Sequence, residues 1–141
     1  MAIKSLKTLI RLQKHKIDNL RRELSPLLEE LRQLEFAKEK LQQELIKEIE
    51  TINNNPEFGG FFGAYSANVK ERIEKISSEI IRVNSEIEKK RSELSEEFSE
   101  QKKYELALES EKKRILENEK RLENLELDEI AMRQYNNLNL G

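Results

Sequence analysis

Apolar residues recur every seven positions along most of this chain. With Ile3 as position a of a heptad, the a positions are Ile3, Ile10, Ile17, Leu24, Leu31, Lys38, Leu45 and Ile52. The d positions are Leu6, Gln13, Leu20, Leu27, Leu34, Leu41 and Glu48. About 12 of these 15 sites are apolar in a chain that is 36% apolar, so the pattern predicts a helix with one apolar seam that another helix must cover. The phase holds over about 50 residues, a helix of roughly 75 Å. Pro26 removes one backbone hydrogen bond and crowds the carbonyl of Arg22. Ser25-Pro26 can also be read as a cap and first-turn proline opening a new helix. Because the register continues across Pro26, which falls at c, one helix with a kink is the preferred reading.

A second heptad run begins near Tyr65. Its a positions are Ile73, Ile80, Ile87, Leu94, Gln101, Leu108, Ile115, Leu122 and Glu129, and its d positions are Val69, Ile76, Val83, Lys90, Glu97, Tyr104, Glu111, Asn118, Leu125 and Met132. The seam is apolar to Leu94 and then dilutes, and Phe98 and Glu105 suggest a local shift of phase. This helix of roughly 105 Å is expected to end near Asn136, with Gly141 frayed. Between the runs lies Asn53-Asn54-Asn55-Pro56-Glu57-Phe58-Gly59-Gly60-Phe61-Phe62-Gly63, a turn-rich break.

The expected fold is all-α: a single domain, 1–141, with helix 2–52, turn 53–64 and helix 65–136 forming an antiparallel two-stranded coiled-coil hairpin. Closing a loop of about 12 residues costs roughly 2 kcal/mol plus a constant. Burying one Leu or Ile returns about 1.5–3 kcal/mol, so one or two seam layers offset closure. The tether also outcompetes a partner from another molecule, which favours a monomer. With Ile52 beside Val69, Ile3 lies near Asn118, and the basic start (Lys4, Lys7, Arg11, Lys14, Lys16, Arg21, Arg22) faces the stretch from Glu100 to Glu119. Residues from about 120 to 136 then overhang, carrying an apolar face without cover.

Charged residues make up 38% of the chain, which suits a thin, solvated helix pair. The formal charge of -2 argues against a nucleic-acid partner. With no cysteine, disulfides and thiolate zinc sites are ruled out. No apolar run approaches the roughly 20 residues of a membrane span, and the first residues lack the apolar core of a secretory signal.

Candidate chemistry is sparse. His15, the one histidine, sits at f with no second histidine at ligand spacing. Acid pairs such as Glu29-Glu30 and Glu96-Glu97 read as solvated faces. Gly59-Gly60-Phe61-Phe62-Gly63 lacks the ending of a phosphate loop. No enzyme, cofactor or metal site is expected. Phe58, Phe61, Phe62 and Tyr65 cluster at the break, either folding back to cap the hairpin or forming a tip that inserts into a partner. The basic N-terminal stretch suggests an anionic membrane surface, but its apolar residues are in register with the seam.

Two end segments carry a resemblance. Ser5-Leu6-Lys7-Thr8-Leu9-Ile10-Arg11-Leu12-Gln13-Lys14 and Leu125-Glu126-Leu127-Asp128-Glu129-Ile130-Ala131-Met132-Arg133-Gln134-Tyr135 resemble the opening and closing elements of the FliJ family of the bacterial flagellar export apparatus. The size and helix–turn–helix plan agree along the whole chain. The resemblance implies a non-enzymatic stalk similar to the γ stalk of rotary ATP synthases. It implies insertion into the export ATPase hexamer, contact with the cytoplasmic part of the membrane export gate, handling of substrate chaperones, and a cytoplasmic location peripheral to the inner membrane. By position it offers Leu127, Asp128, Glu129, Ile130, Ala131, Met132, Arg133 and Tyr135 to the ATPase ring, joined by Thr8, Leu9, Arg11 and Leu12. The alternatives are an escort for export clients and a structural homo-oligomer of paired hairpins.

Overall fold

The structure is a computed structural model that describes residues 2–140, without the side chains of Phe58 and Leu140. The expected fraying of Gly141 therefore lies outside the described residues. Two long helices pack against each other as an antiparallel hairpin. Helix α1 spans Ile3–Asn54 and helix α2 spans Gly59–Leu140, with a 3-10 turn at Pro56–Phe58 between them. The chain forms two compact units, residues 17–96 and residues 1–16 with 97–141.

Helix α1 runs through Pro26 without a break. The proline is exposed, so the carbonyl it leaves without an intrahelical donor lies where water reaches it. The seam on both sides keeps the helix continuous.

The expected turn at 53–64 needs correction, because Gly59 to Gly63 form the first turn of α2. At the end of α1, the Asn55 amide donates to the Thr51 carbonyl at 2.9 Å. Pro56 then starts the 3-10 turn, and Gly59 already has φ -61 and ψ -24. Phe62, Ser66 and Val69 stand at d, a and d of the α2 register, and all three are at least half-buried. Seam burial therefore draws the glycines into the helix against a propensity cost of about 1 kcal/mol each.

In the unit of residues 17–96 the seam is mostly aliphatic. Ile17, Leu41, Val69, Val83, Ile87 and Leu94 are buried, Val83 completely. Glu23 pairs with Lys90 at 2.7 Å and Glu30 with Arg82 at 2.9 Å. Stepping up α1 thus means stepping back along α2, which fixes the antiparallel direction. In the other unit Leu6 and Gln13 are buried, and Gln13 bonds to Glu97.

Two further expectations change. Gln13 against Glu97 puts Ile3 opposite about residue 107, not near Asn118, and Ile52 lines a groove with Phe61, Phe62 and Tyr65 rather than meeting Val69. Both follow from the shorter turn, which brings α2 in earlier. Nor does the seam change phase at Phe98. That residue is exposed, while Glu97, Gln101, Tyr104, Leu108, Glu111 and Ile115 hold their a and d positions half-buried.

Truncating Ile87 to Ala removes a fully enclosed side chain, and the expected cost is about 2–5 kcal/mol. The exposed Ile81→Ala is expected to change stability by less than about 0.5 kcal/mol. Urea unfolding followed by circular dichroism reads both, and equal losses would contradict the seam.

Candidate functional site

Beyond Ile115 every described side chain of α2 is exposed, so the uncovered stretch begins at Leu116 rather than near 120. At 100° per residue its large apolar residues fall into two sectors, each about 80° wide. One holds Leu122, Leu125 and Met132 and continues the seam. The other, nearly opposite, holds Leu116, Leu127, Ile130 and Leu138. Tyr135 lies between them. Leu138 is 81% exposed. Leu116 and Leu138 escaped the sequence reading because they fall outside the heptad frame, although their 22-residue spacing, close to six turns, marks them as one stripe. Asp128, Ala131 and Arg133 separate the sectors, while Glu129 lies within the sector of Leu122 and Leu125, with Arg133 near it at 3.8 Å.

Thr8, Arg11 and Leu12 are exposed on α1, and Leu9 is half-buried. The Thr8 hydroxyl donates to the Lys4 carbonyl at 3.0 Å. These four residues do not share a patch with Leu127 to Tyr135. The register puts Leu12 opposite about residue 98, roughly 45 Å of helix from Leu127. None of Lys4, Lys7, Arg11 and Lys14 forms an ion pair with a described residue.

Polar groups interrupt the seam in this unit. The Gln13 amide is 3% exposed and donates to the Glu97 carbonyl at 2.9 Å and to the Glu97 carboxylate. Gln101 donates to Glu105 at 2.8 Å. The Tyr104 hydroxyl donates to the Glu100 carboxylate, which, with burial, raises the phenol above its ordinary value. Arg114 holds Glu111 at 2.6 Å and lowers its carboxyl pKa through that hydrogen bond. This contribution is complete above the ordinary value of 4.5 and is lost as pH falls through the lowered folded value.

In the unit of residues 17–96, Phe61 is 82% exposed. Glu48, Thr51, Ile52, Phe61, Phe62 and Tyr65 line an open groove of about 430 Å³. The Phe58 side chain lies outside the described residues. Phe62 packs inward and Phe61 faces solvent.

The family model described as flagellar FliJ protein matches residues 2–139. The chain belongs to the FliJ family. It is thus a coiled-coil component of the flagellar export apparatus. No curated protein and no solved structure matches it. Among the described residues no helix of this FliJ-family chain is long and apolar enough to cross a membrane. Nor does any group of three His, Cys, Asp or Glu there suit a metal ion.

The buried Gln13–Glu97 layer is expected to set register at a cost in stability. Gln13→Ala alone is expected to destabilise by about 1–2 kcal/mol, since it strips the Glu97 carboxylate of its donor. Gln13→Leu combined with Glu97→Leu is expected to be neutral or more stable. A double-mutant cycle by urea unfolding measures the coupling, and additive effects would contradict a shared layer.

Proposed function

We propose that the chain is a non-enzymatic stalk of the flagellar export machine. Its tail docks inside the export ATPase hexamer, and the hairpin couples that ring to the cytoplasmic part of the membrane export gate, at the cytoplasmic face of the inner membrane. One observation carries the reading: residues 116–139 are exposed on every side yet apolar in two opposite sectors. A helix with apolar surface on opposite sides calls for cover around its circumference. A ring lumen supplies such cover, whereas a flat partner would hide one sector only. The uncovered helix is roughly 35 Å long and about 10–12 Å wide, which suits a narrow pore.

Within this reading Leu127 and Ile130 supply apolar area on one sector and Met132 on the other. Tyr135 bridges them with an aromatic ring and a hydroxyl. Asp128, Glu129 and Arg133 set the register through polar contacts, and Ala131 allows close approach. Thr8, Leu9, Arg11 and Leu12 form a separate contact nearer the mouth of the ring.

A second reading, an escort for export clients or their chaperones, draws on the tip. The groove beside Phe61, Phe62 and Tyr65 can take one apolar side chain of a partner.

The test is stimulation of the cognate export ATPase by the full chain. Leu127→Ser with Ile130→Ser is expected to reduce binding about tenfold or more while leaving the thermal unfolding of the hairpin unchanged, because neither side chain touches α1. Retained stimulation would refute the ring contact. Loss of client binding on Phe61→Ser with intact ATPase stimulation would favour the escort role.

A further inference from the structure

The first 17 residues carry Lys4, Lys7, Arg11, Lys14 and Lys16 and no acid. The hairpin takes their apolar partners: Leu6 and Ile17 are buried, and Ile3 and Ile10 half-buried. What remains outside carries all five cations and no acid. Lys4, Lys7, Arg11 and Lys14, spaced by three and four, form one row of about 15 Å, with His15 and Thr8 beside it. Two cations of the other unit, by contrast, are matched by acids on both helices or along their own helix. Arg82 contacts Glu30, Glu79 and Glu86, and Lys90 contacts Glu23 and Glu93. Among the described residues the row on α1 has no such partners. The first turn of α1 also lacks an acid, so its lysines oppose the helix dipole.

We propose that this face of α1 binds an anionic phospholipid surface. Three observations favour lipid. The face presents a single well-exposed large apolar residue, Leu12 at 55%, and so lacks the aromatic and apolar anchors on which protein interfaces depend. The cations lie in a straight row, which matches a plane of phosphates. Beside the row, Lys4, Ser5, Thr8 and Leu9 line an open groove of about 530 Å³. An ammonium and a Ser5 hydroxyl there adjoin the hydrocarbon of Leu9, the pairing an amphiphile offers and a nucleic-acid backbone does not. The overall charge of -2 does not oppose this, since screening over about 8–10 Å lets the local row act alone.

The inference goes beyond the ring contact and does not depend on it. It adds a consequence: Thr8, Leu9, Arg11 and Leu12 belong to both surfaces, so membrane and ring compete for the start of α1.

The test is co-sedimentation of the full chain with vesicles of phosphatidylcholine, with or without phosphatidylglycerol, in the absence of ATPase. Binding is expected with phosphatidylglycerol alone, and is expected to fall steeply with added salt. Each cation is expected to contribute about fivefold. The K4Q, K7Q, R11Q and K14Q quadruple variant is then expected to lose a hundredfold or more, with helicity retained by circular dichroism. Neutralising Lys102, Lys103, Lys112 and Lys113 on α2 removes the same charge and is expected to change binding less than about threefold. Equal binding to neutral vesicles, equal loss in both variants, or no binding overturns the proposal. Tighter binding to duplex DNA, displacing the vesicles, also overturns it and assigns the face to nucleic acid.

Discussion

One constraint organises the molecule: each helix has a single apolar seam, and the two seams must cover each other from the connection outward. Helix α1 has 52 residues and α2 has 82. Because the helices are tied together at Asn55 to Phe58, the excess of α2 cannot be shared between the ends. It collects beyond the start of α1, where side chains are exposed from Leu116 onward. The uncovered tail is therefore a consequence of unequal lengths and one fixed end. Lengthening α1 would cover the sector of Leu122, Leu125 and Met132 but not that of Leu127 and Ile130.

The seam is not uniform, and its variation has a physical sense. Between Ile17 and Leu94 aliphatic layers supply the burial, while Lys90 reaches Glu23 at 2.7 Å from the edge. Lys90 is raised in pKa chiefly by that hydrogen bond and stays charged at any ordinary pH. In the unit of residues 1–16 and 97–141 the layers turn polar at Gln13, Glu97, Gln101 and Tyr104. Aliphatic layers tolerate sliding by a heptad, whereas an amide buried against a carboxylate does not. The polar layers thus set how far the tail projects. A slip of one heptad would bury or release about 10 Å of it.

Heptad counting was enough to read the helices, their direction, the single seam and the existence of an overhang, since all four follow from a period of seven and one break. The register was not legible. It depended on whether Gly59 to Gly63 would turn or coil, and glycine permits both. Only the three-dimensional placement of Phe62 and Val69 on the seam decides for the helix. The second apolar sector of the tail was hidden for a different reason. Leu127 and Ile130 were named from the closing segment, but Leu116 and Leu138 lie off the a and d positions, and a heptad frame discards such residues as surface. That Lys4, Lys7, Arg11 and Lys14 meet no acid among the described residues was equally out of reach, because it rests on which acids of α2 come opposite, and that again is register.

The charges of this unit divide by helix. The start of α1 is wholly basic, whereas the tail from Leu116 carries Glu117, Glu119, Glu123, Glu126, Asp128 and Glu129 against Lys120, Arg121 and Arg133. An anionic surface that attracts the row on α1 therefore repels the tail, within the reach of screening. Without that repulsion, a helix with two exposed apolar sectors beside a bilayer would sink into the interface. The tail's excess of acid works against that outcome, so membrane contact through α1 and an apolar docking surface on α2 can coexist in one chain. Reversing the sign of the tail's acids would remove the separation, and the same leucines that suit a protein lumen would then favour lipid.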